Sequence, residues 1–229
     1  MDKSKVNFSK PMLIQSVAFK DVFLRMDGKG ISTACGAGAG KVNCQRSMAP
    51  NGAFKVQKQT DGTFTIESSK YPGVFLRMDG NGIHAFAGSG SGRVNCQFGA
   101  SAWERFKLHE QSDGSYTIES AAFPNVFLRM DGSGIRGFAG SGAGHVNCQF
   151  GASDWEHFKL HEQNDGSYTI ESVAFPNVFL RMDGNNRLGK EEDFGTVNCQ
   201  YGASTCEKFY LLNMPETGKV KDMFNKFAK

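Results

Sequence analysis

Val22-Phe23-Leu24-Arg25-Met26-Asp27-Gly28 is the stretch whose reading decides the architecture, because the same residues return at 74–80, 126–132 and 178–184. Arg25, Arg77, Arg129 and Arg181 are 52 residues apart each time. A period of this size marks an array of equivalent supersecondary units and outweighs any local propensity. As a strand, the stretch has period 2, with Val, Leu and Met on one face and Phe, Arg and Asp on the other. Val, Leu and Met are the expected core, and Arg and Asp the outer or rim side.

Upstream of three of the copies lies a tight-turn dipeptide, Asp61-Gly62, Asp113-Gly114 and Asp165-Gly166. Each is followed by an alternating strand, 64–68, 116–120 and 168–172, with 12–16 as the first copy. In 116–120, Tyr116 and Ile118 share one face and Thr117 and Glu119 the other. Aromatic-Pro-Asn or aromatic-Pro-Gly turns then lead into the repeated arginine strand. Beyond each Asp-Gly the chain is glycine-rich, as in 82–93, and runs into Val-Asn-Cys-Gln. A phosphate-cradling loop would open a helix, so a hairpin tip fits better. Strands are expected near 64–68, 74–79, 83–87 and 93–97, with 106–108 closing each series.

Unit boundaries follow at approximately 12–60, 61–112, 113–164 and 165–212, within a single domain spanning 1–229. The chain opens on a strand without its preceding partner and stops repeating on one without its following partner. Pairing the two would leave no exposed sheet edge. The expected fold is therefore all-β, four units closed into one pseudo-four-fold barrel with capping hairpins. A four-bladed β-propeller is the alternative. Residues 216–228 carry Val220, Met223, Phe224 and Phe227 at helical spacing. This short amphipathic helix suits a membrane surface or a partner, but docking on the protein's own barrel is the simpler expectation.

With 26 basic and 23 acidic residues the net charge is +3, which gives no long-range attraction to nucleic acid. The polar start, without a leader-like apolar run, implies a cytoplasmic protein. Cys44, Cys96, Cys148 and Cys199 hold one equivalent position, so buried free thiols are expected rather than disulfides. Cys35 and Cys206 break the pattern. No spacing of His and Cys suits a metal, and no cofactor fingerprint is present.

The run 116–129, Tyr-Thr-Ile-Glu-Ser-Ala-Ala-Phe-Pro-Asn-Val-Phe-Leu-Arg, resembles a recurring unit of β-trefoil proteins. It is similar to the fascin-type units, to arabinofuranose-binding modules of the arabinofuranosidase B type, and to the matching stretch of interleukin-1-like cytokines. Trefoils have three units, whereas this chain has four. The resemblance implies a barrel with hairpin caps and, for function, a multivalent lectin-like carbohydrate binder. Fascin-like actin binding or cross-linking is the second implication and a cytokine-like ligand the third. The ricin-type Gln-x-Trp signature is absent.

Polar residues that recur by symmetry suit repeated binding better than one asymmetric catalytic constellation, so no enzyme is expected. The candidate glycan contacts are Arg25, Asp27, Asn43, Gln45, Arg77, Asp79, Asn95, Gln97, Arg129, Asp131, Asn147 and Gln149. Trp103 and Trp155 are candidate sugar platforms, although Asn51 and Cys206 at the equivalent positions favour packing under a turn. The fourth loop, 185–195, is charged and poor in glycine, so any loop-based site is expected in at most three copies.

Overall fold

The computed structural model describes residues 7, 9–34, 38–46, 52–86, 92–138, 142, 144–184 and 195–214. The expected helix at 216–228, Cys35, Asn51 and most of the fourth loop lie outside the described residues. Eight short strands form a closed ring: β1 (Met12–Ser16), β4 (Ala53–Lys58), β5 (Phe64–Ser68), β8 (Phe106–Glu110), β9 (Tyr116–Ser120), β12 (Phe158–Glu162), β13 (Tyr168–Ser172) and β16 (Phe209–Asn213). Each pairs antiparallel with the next in that order. The ring closes where β16 pairs with β1 from Met12↔Asn213 to Ser16↔Phe209. The all-β class and the closed barrel are as expected.

Four hairpins stand outside this ring: β2 (Val22–Asp27) with β3 (Lys41–Arg46), β6 (Val74–Asp79) with β7 (Arg93–Phe98), β10 (Val126–Asp131) with β11 (His145–Phe150), and β14 (Val178–Asp183) with β15 (Thr196–Tyr201). Their registers are equivalent, setting Leu24, Leu76, Leu128 and Leu180 opposite Cys44, Cys96, Cys148 and Cys199. The pairing is that of one barrel with outer hairpins, not of radial four-stranded blades.

Local chemistry explains the turns. Asp113 Oδ1 accepts from the amide and hydroxyl of Ser115, at 3.0 and 2.6 Å, while Gly114 takes φ +78°. A short acceptor side chain and a glycine fit this reversal because the first caps the turn and the second has no Cβ to clash. The expected strand at 83–87 is not formed over its described part, 83–86. Ile83 is buried at 6% exposure within a cluster containing Met78 and Val126, so it anchors a loop rather than pairing.

The core is built from clusters linked by Leu24, Leu76, Leu128 and Leu180, each of which packs on two of them. Among the described residues it falls into five clusters, four of them equivalent and each shared by consecutive repeats: Met26 and Phe54 with Val74 and Cys96, Met78 and Phe106 with Val126 and Cys148, Met130 and Phe158 with Val178 and Cys199, and Met182 and Phe209 with Val22 and Cys44; the fifth joins Leu13, Phe23 and Ala53. The four methionines are 1–2% exposed, and burial of such a side chain is worth about 1.5–3 kcal/mol. Each repeat therefore depends on its neighbour for stability. The cysteines seal the same seams. Cys148 Sγ lies 3.4 Å from the Asp79 carbonyl, and Gly92 bridges to Cys148 in antiparallel pairing. A Cβ on Gly92 would lie 2.1 Å from that sulfur, which is why the glycine-rich loop ends in glycine here.

Candidate functional site

Alternation assigns Arg77 to the side of β6 away from the methionine core, but that side is covered. Arg25, Arg77, Arg129 and Arg181 are 9, 2, 0 and 2% exposed, so the expected outer arginines are interior. Period 2 says which residues share a face and is silent about what lies over it. In the second and third repeats the cover is a single 3-10 turn, Ala102–Glu104 and Asp154–Glu156.

Each turn brings a carboxylate to the guanidinium. Arg77 Nε lies 3.6 Å from Glu104 Oε1 and its Nη2 3.4 Å from Asp79 Oδ2. The matching distances are 3.7 Å to Glu156 and 3.2 Å to Asp131 at Arg129, and 3.3 Å to Glu207 and 3.0 Å to Asp183 at Arg181. The other oxygen of Glu104 accepts from the amide and hydroxyl of Ser101, at 2.9 and 2.7 Å. Burial pushes the Glu156 carboxyl up, above its ordinary value, against the lowering effect of Ser153 and Arg129. Such paired, desolvated charges add little net stability but are costly to break.

Arg25 is built differently. Gly52 occupies the place of Glu104, and Arg25 instead donates to Gln45 Oε1, to Asn43 Oδ1 at 3.3 Å and to Asp27 Oδ2 at 2.7 Å. Elsewhere the glutamine turns back on the chain: Gln97 and Gln149 each accept from the following amide, at 2.9 and 2.8 Å. Asn95 and Asn147 stand directly across the hairpin from Arg77 and Arg129.

Trp103 and Trp155 are half-buried. The guanidinium carbon of Arg77 sits 4.3 Å from the Trp103 ring centre, and that of Arg129 is equally close to Trp155. Phe123 and Phe175 meet the two indoles edge-on at 4.6 and 4.5 Å. One ring face is thus occupied by a cation. Both tryptophans serve as packing under the turn, and only what remains outward can meet a ligand.

Of the fourteen candidate residues, the structure brings Arg77, Gln97 and Trp103 to one groove of about 560 Å³, with Ala34, Asn81 and Ser101 on its walls. Asn43 lies instead beside a smaller hollow of about 290 Å³ with Lys41 and Val197. The groove sits where the glycine-rich loop of one repeat crosses onto the next. A Cβ on Gly38 would come 2.5 Å from Arg77 and 2.6 Å from Asn95, so the loop backbone lies directly on that polar pair.

Sequence reasoning missed two groups of residues. Glu104, Glu156 and Glu207 were readable as the ends of Ser-x-x-Glu capping boxes, at Ser101, Ser153 and Ser204. Phe86 and Phe138 take the place of Ala34 in the next two loops and are 62 and 65% exposed, a signal hidden by the strand expected at 83–87. Repeat register sets them toward the third and fourth arginines, as Ala34 is toward Arg77.

No protein-family model and no curated protein matches the chain. Among solved structures, a mosquitocidal holotoxin matches at 11% identity and TM-score 0.37, over 94% of this chain, which spans only 35% of the toxin chain. A designed three-fold symmetric protein, ThreeFoil, matches at 14% identity and TM-score 0.36, over 70% of this chain and 98% of its own. The Macrolepiota procera ricin B-like lectin in complex with lactose matches at 11% identity and TM-score 0.33, over 70% and 94%. At TM-scores this low, these likenesses carry no argument about the fold or the function.

Proposed function

We propose that this chain is a non-enzymatic, multivalent glycan-binding protein whose four repeats close into one pseudo-four-fold, trefoil-type body. The observation that carries this reading is the groove that unites Arg77, Gln97 and Trp103 with Asn81 and Ser101 at a repeat junction. Its chemistry suits a sugar: the indole surface that lines the groove for the apolar side of a pyranose, and amide and hydroxyl groups for its ring hydroxyls. Within it the buried Arg77–Asp79–Glu104 set is the frame that fixes Trp103, while exposed Asn81 and Ser101 offer the contacts.

Copies of the groove differ in quality. The third repeat keeps its tryptophan, Trp155, and gains Phe86 on the facing loop, whereas the fourth has Cys206 in place of the tryptophan. The first has Gly52 where the others carry the framing glutamate. Two tryptophan-bearing sites of similar strength are therefore expected, with a weaker third opposite Phe138. A glycan array probed with the fluorescently labelled chain tests the reading. Binding to a defined sugar class, weakened in Asn81→Ala combined with its counterpart Ser133→Ala, supports it; a blank array sinks it.

A further inference from the structure

Four of the five core clusters sit at repeat junctions, and apolar space remains inside the ring of strands. Eight strands enclose a bore that is either filled by side chains or able to hold one small ligand, depending on the size of the inward residues. Here those residues are of ordinary size. Leu108 pairs across the sheet with Ile118 and Leu160 with Ile170, yet Leu108 and Leu160 remain 53 and 51% exposed although they face inward. The space they fail to close is an apolar cavity of about 630 Å³, and a second of about 290 Å³ shares Leu108, Ile118 and Leu128 as walls.

The walls of the larger cavity include Leu76, Met78 and Val94 from the hairpin β6 and β7, Lys58 and Phe64 where β4 ends and β5 begins, and Ser9. Lys58 is the charged residue among its lining side chains, with Nζ 6.0 Å from the Phe64 ring centre. Glu110 and Glu162, which end β8 and β12, do not line either cavity, so Lys58 supplies the charge at the wall of the larger one. A cavity with these walls gives water few hydrogen bonds, and its volume falls in the range of about 300–1,000 Å³ typical of small-molecule sites.

We propose that the barrel bore binds one long-chain aliphatic acid, its chain among Ile66, Leu108, Ile118 and Leu128 and its carboxylate at Lys58. This site is separate from the outer grooves and does not depend on the glycan reading. The full chain is titrated with 11-(dansylamino)undecanoic acid, following the blue shift and gain of dansyl emission, and palmitate is used as competitor. The expected result is one saturable site per chain, displaced by palmitate. Unlabelled acids of increasing length should compete more strongly by roughly two- to fourfold per added methylene until the bore is full. Leu108→Trp, which fills the bore, should weaken binding at least tenfold while keeping its cooperative melting, and Lys58→Glu should weaken it several-fold. The length series on the unmodified chain keeps the test decisive if Leu108→Trp does not fold. No saturable dansyl binding overturns the proposal. Length-independent competition, or undiminished binding by folded Leu108→Trp, overturns it as well.

Discussion

Arg129 Nε lies 3.7 Å from Glu156 Oε1, and both side chains are 0% exposed. The pair joins a hairpin strand to the turn that covers it, in the repeat with the most completely enclosed arginine. Glu156→Ala would take one of the two carboxylates away from the guanidinium and remove the cap on Ser153. Loss of one partner of a buried pair costs about 3–5 kcal/mol. Urea unfolding monitored by tryptophan fluorescence should show a loss of that order, and a change below about 1 kcal/mol would contradict the buried-pair assignment.

The acid response separates two glutamates. Burial raises Glu156, so its ionised form is disfavoured in the fold. Its contribution to stability is then fully present below the unfolded carboxylate value and is lost as pH rises through its folded value. Glu119 runs the other way. Burial pushes it up, but the Asn125 amide, His109 and Lys107 outweigh that and hold it below its ordinary value. Its contribution is present above the unfolded value and is lost as pH falls through the folded one. Unfolding free energies of Glu156→Gln and Glu119→Gln, measured against wild type over an acid series, should therefore change in opposite senses. As pH falls, the Glu156→Gln comparison shifts in favour of wild type and the Glu119→Gln comparison shifts against it.

Gly92→Ala tests the seams between repeats. The added Cβ would meet Cys148 Sγ at 2.1 Å and the Asp79 carbonyl at 2.8 Å, and the latter is backbone that cannot step aside. Overpacking of this kind costs about 1–3 kcal/mol. Gly137→Ala, with nothing within 4 Å of the new Cβ, should leave the melting temperature close to that of wild type.

The seam cysteines should be inert in the native state. Burial pushes Cys44, Cys96, Cys148 and Cys199 up to about 12, and each is 0% exposed. A thiol reagent of the Ellman type added to native Cys35→Ser protein at pH 8 should label Cys206, which is partly exposed, and none of these four; all five should react in denaturant. Native labelling of any seam cysteine would place it outside the core.

Much of the plan could be read from residues alone. The repeated arginine strand, the Asp-Gly turns and the equivalent cysteine positions gave the strand sites and the buried thiols. What could not be read depended on contacts distant in sequence. Arg77 looked outward because its cover, Glu104, arrives 27 residues later and shows only as a capping box. Ile83 looked like part of a strand because one buried loop anchor mimics alternation. Leu108 lines the bore, but local pattern carries no information on how wide eight strands make it, and so none on whether that leucine meets anything there.

The central claim is that equivalent grooves at repeat junctions bind glycans. Isothermal titration of the chain with the sugar best bound on the array tests it most directly. More than one site per chain is expected, with stoichiometry falling by one in Asn81→Ala and again when Ser133→Ala is added, while the melting temperature stays unchanged. Absence of heat for any array-selected sugar, or a stoichiometry unaffected by both substitutions, would contradict it.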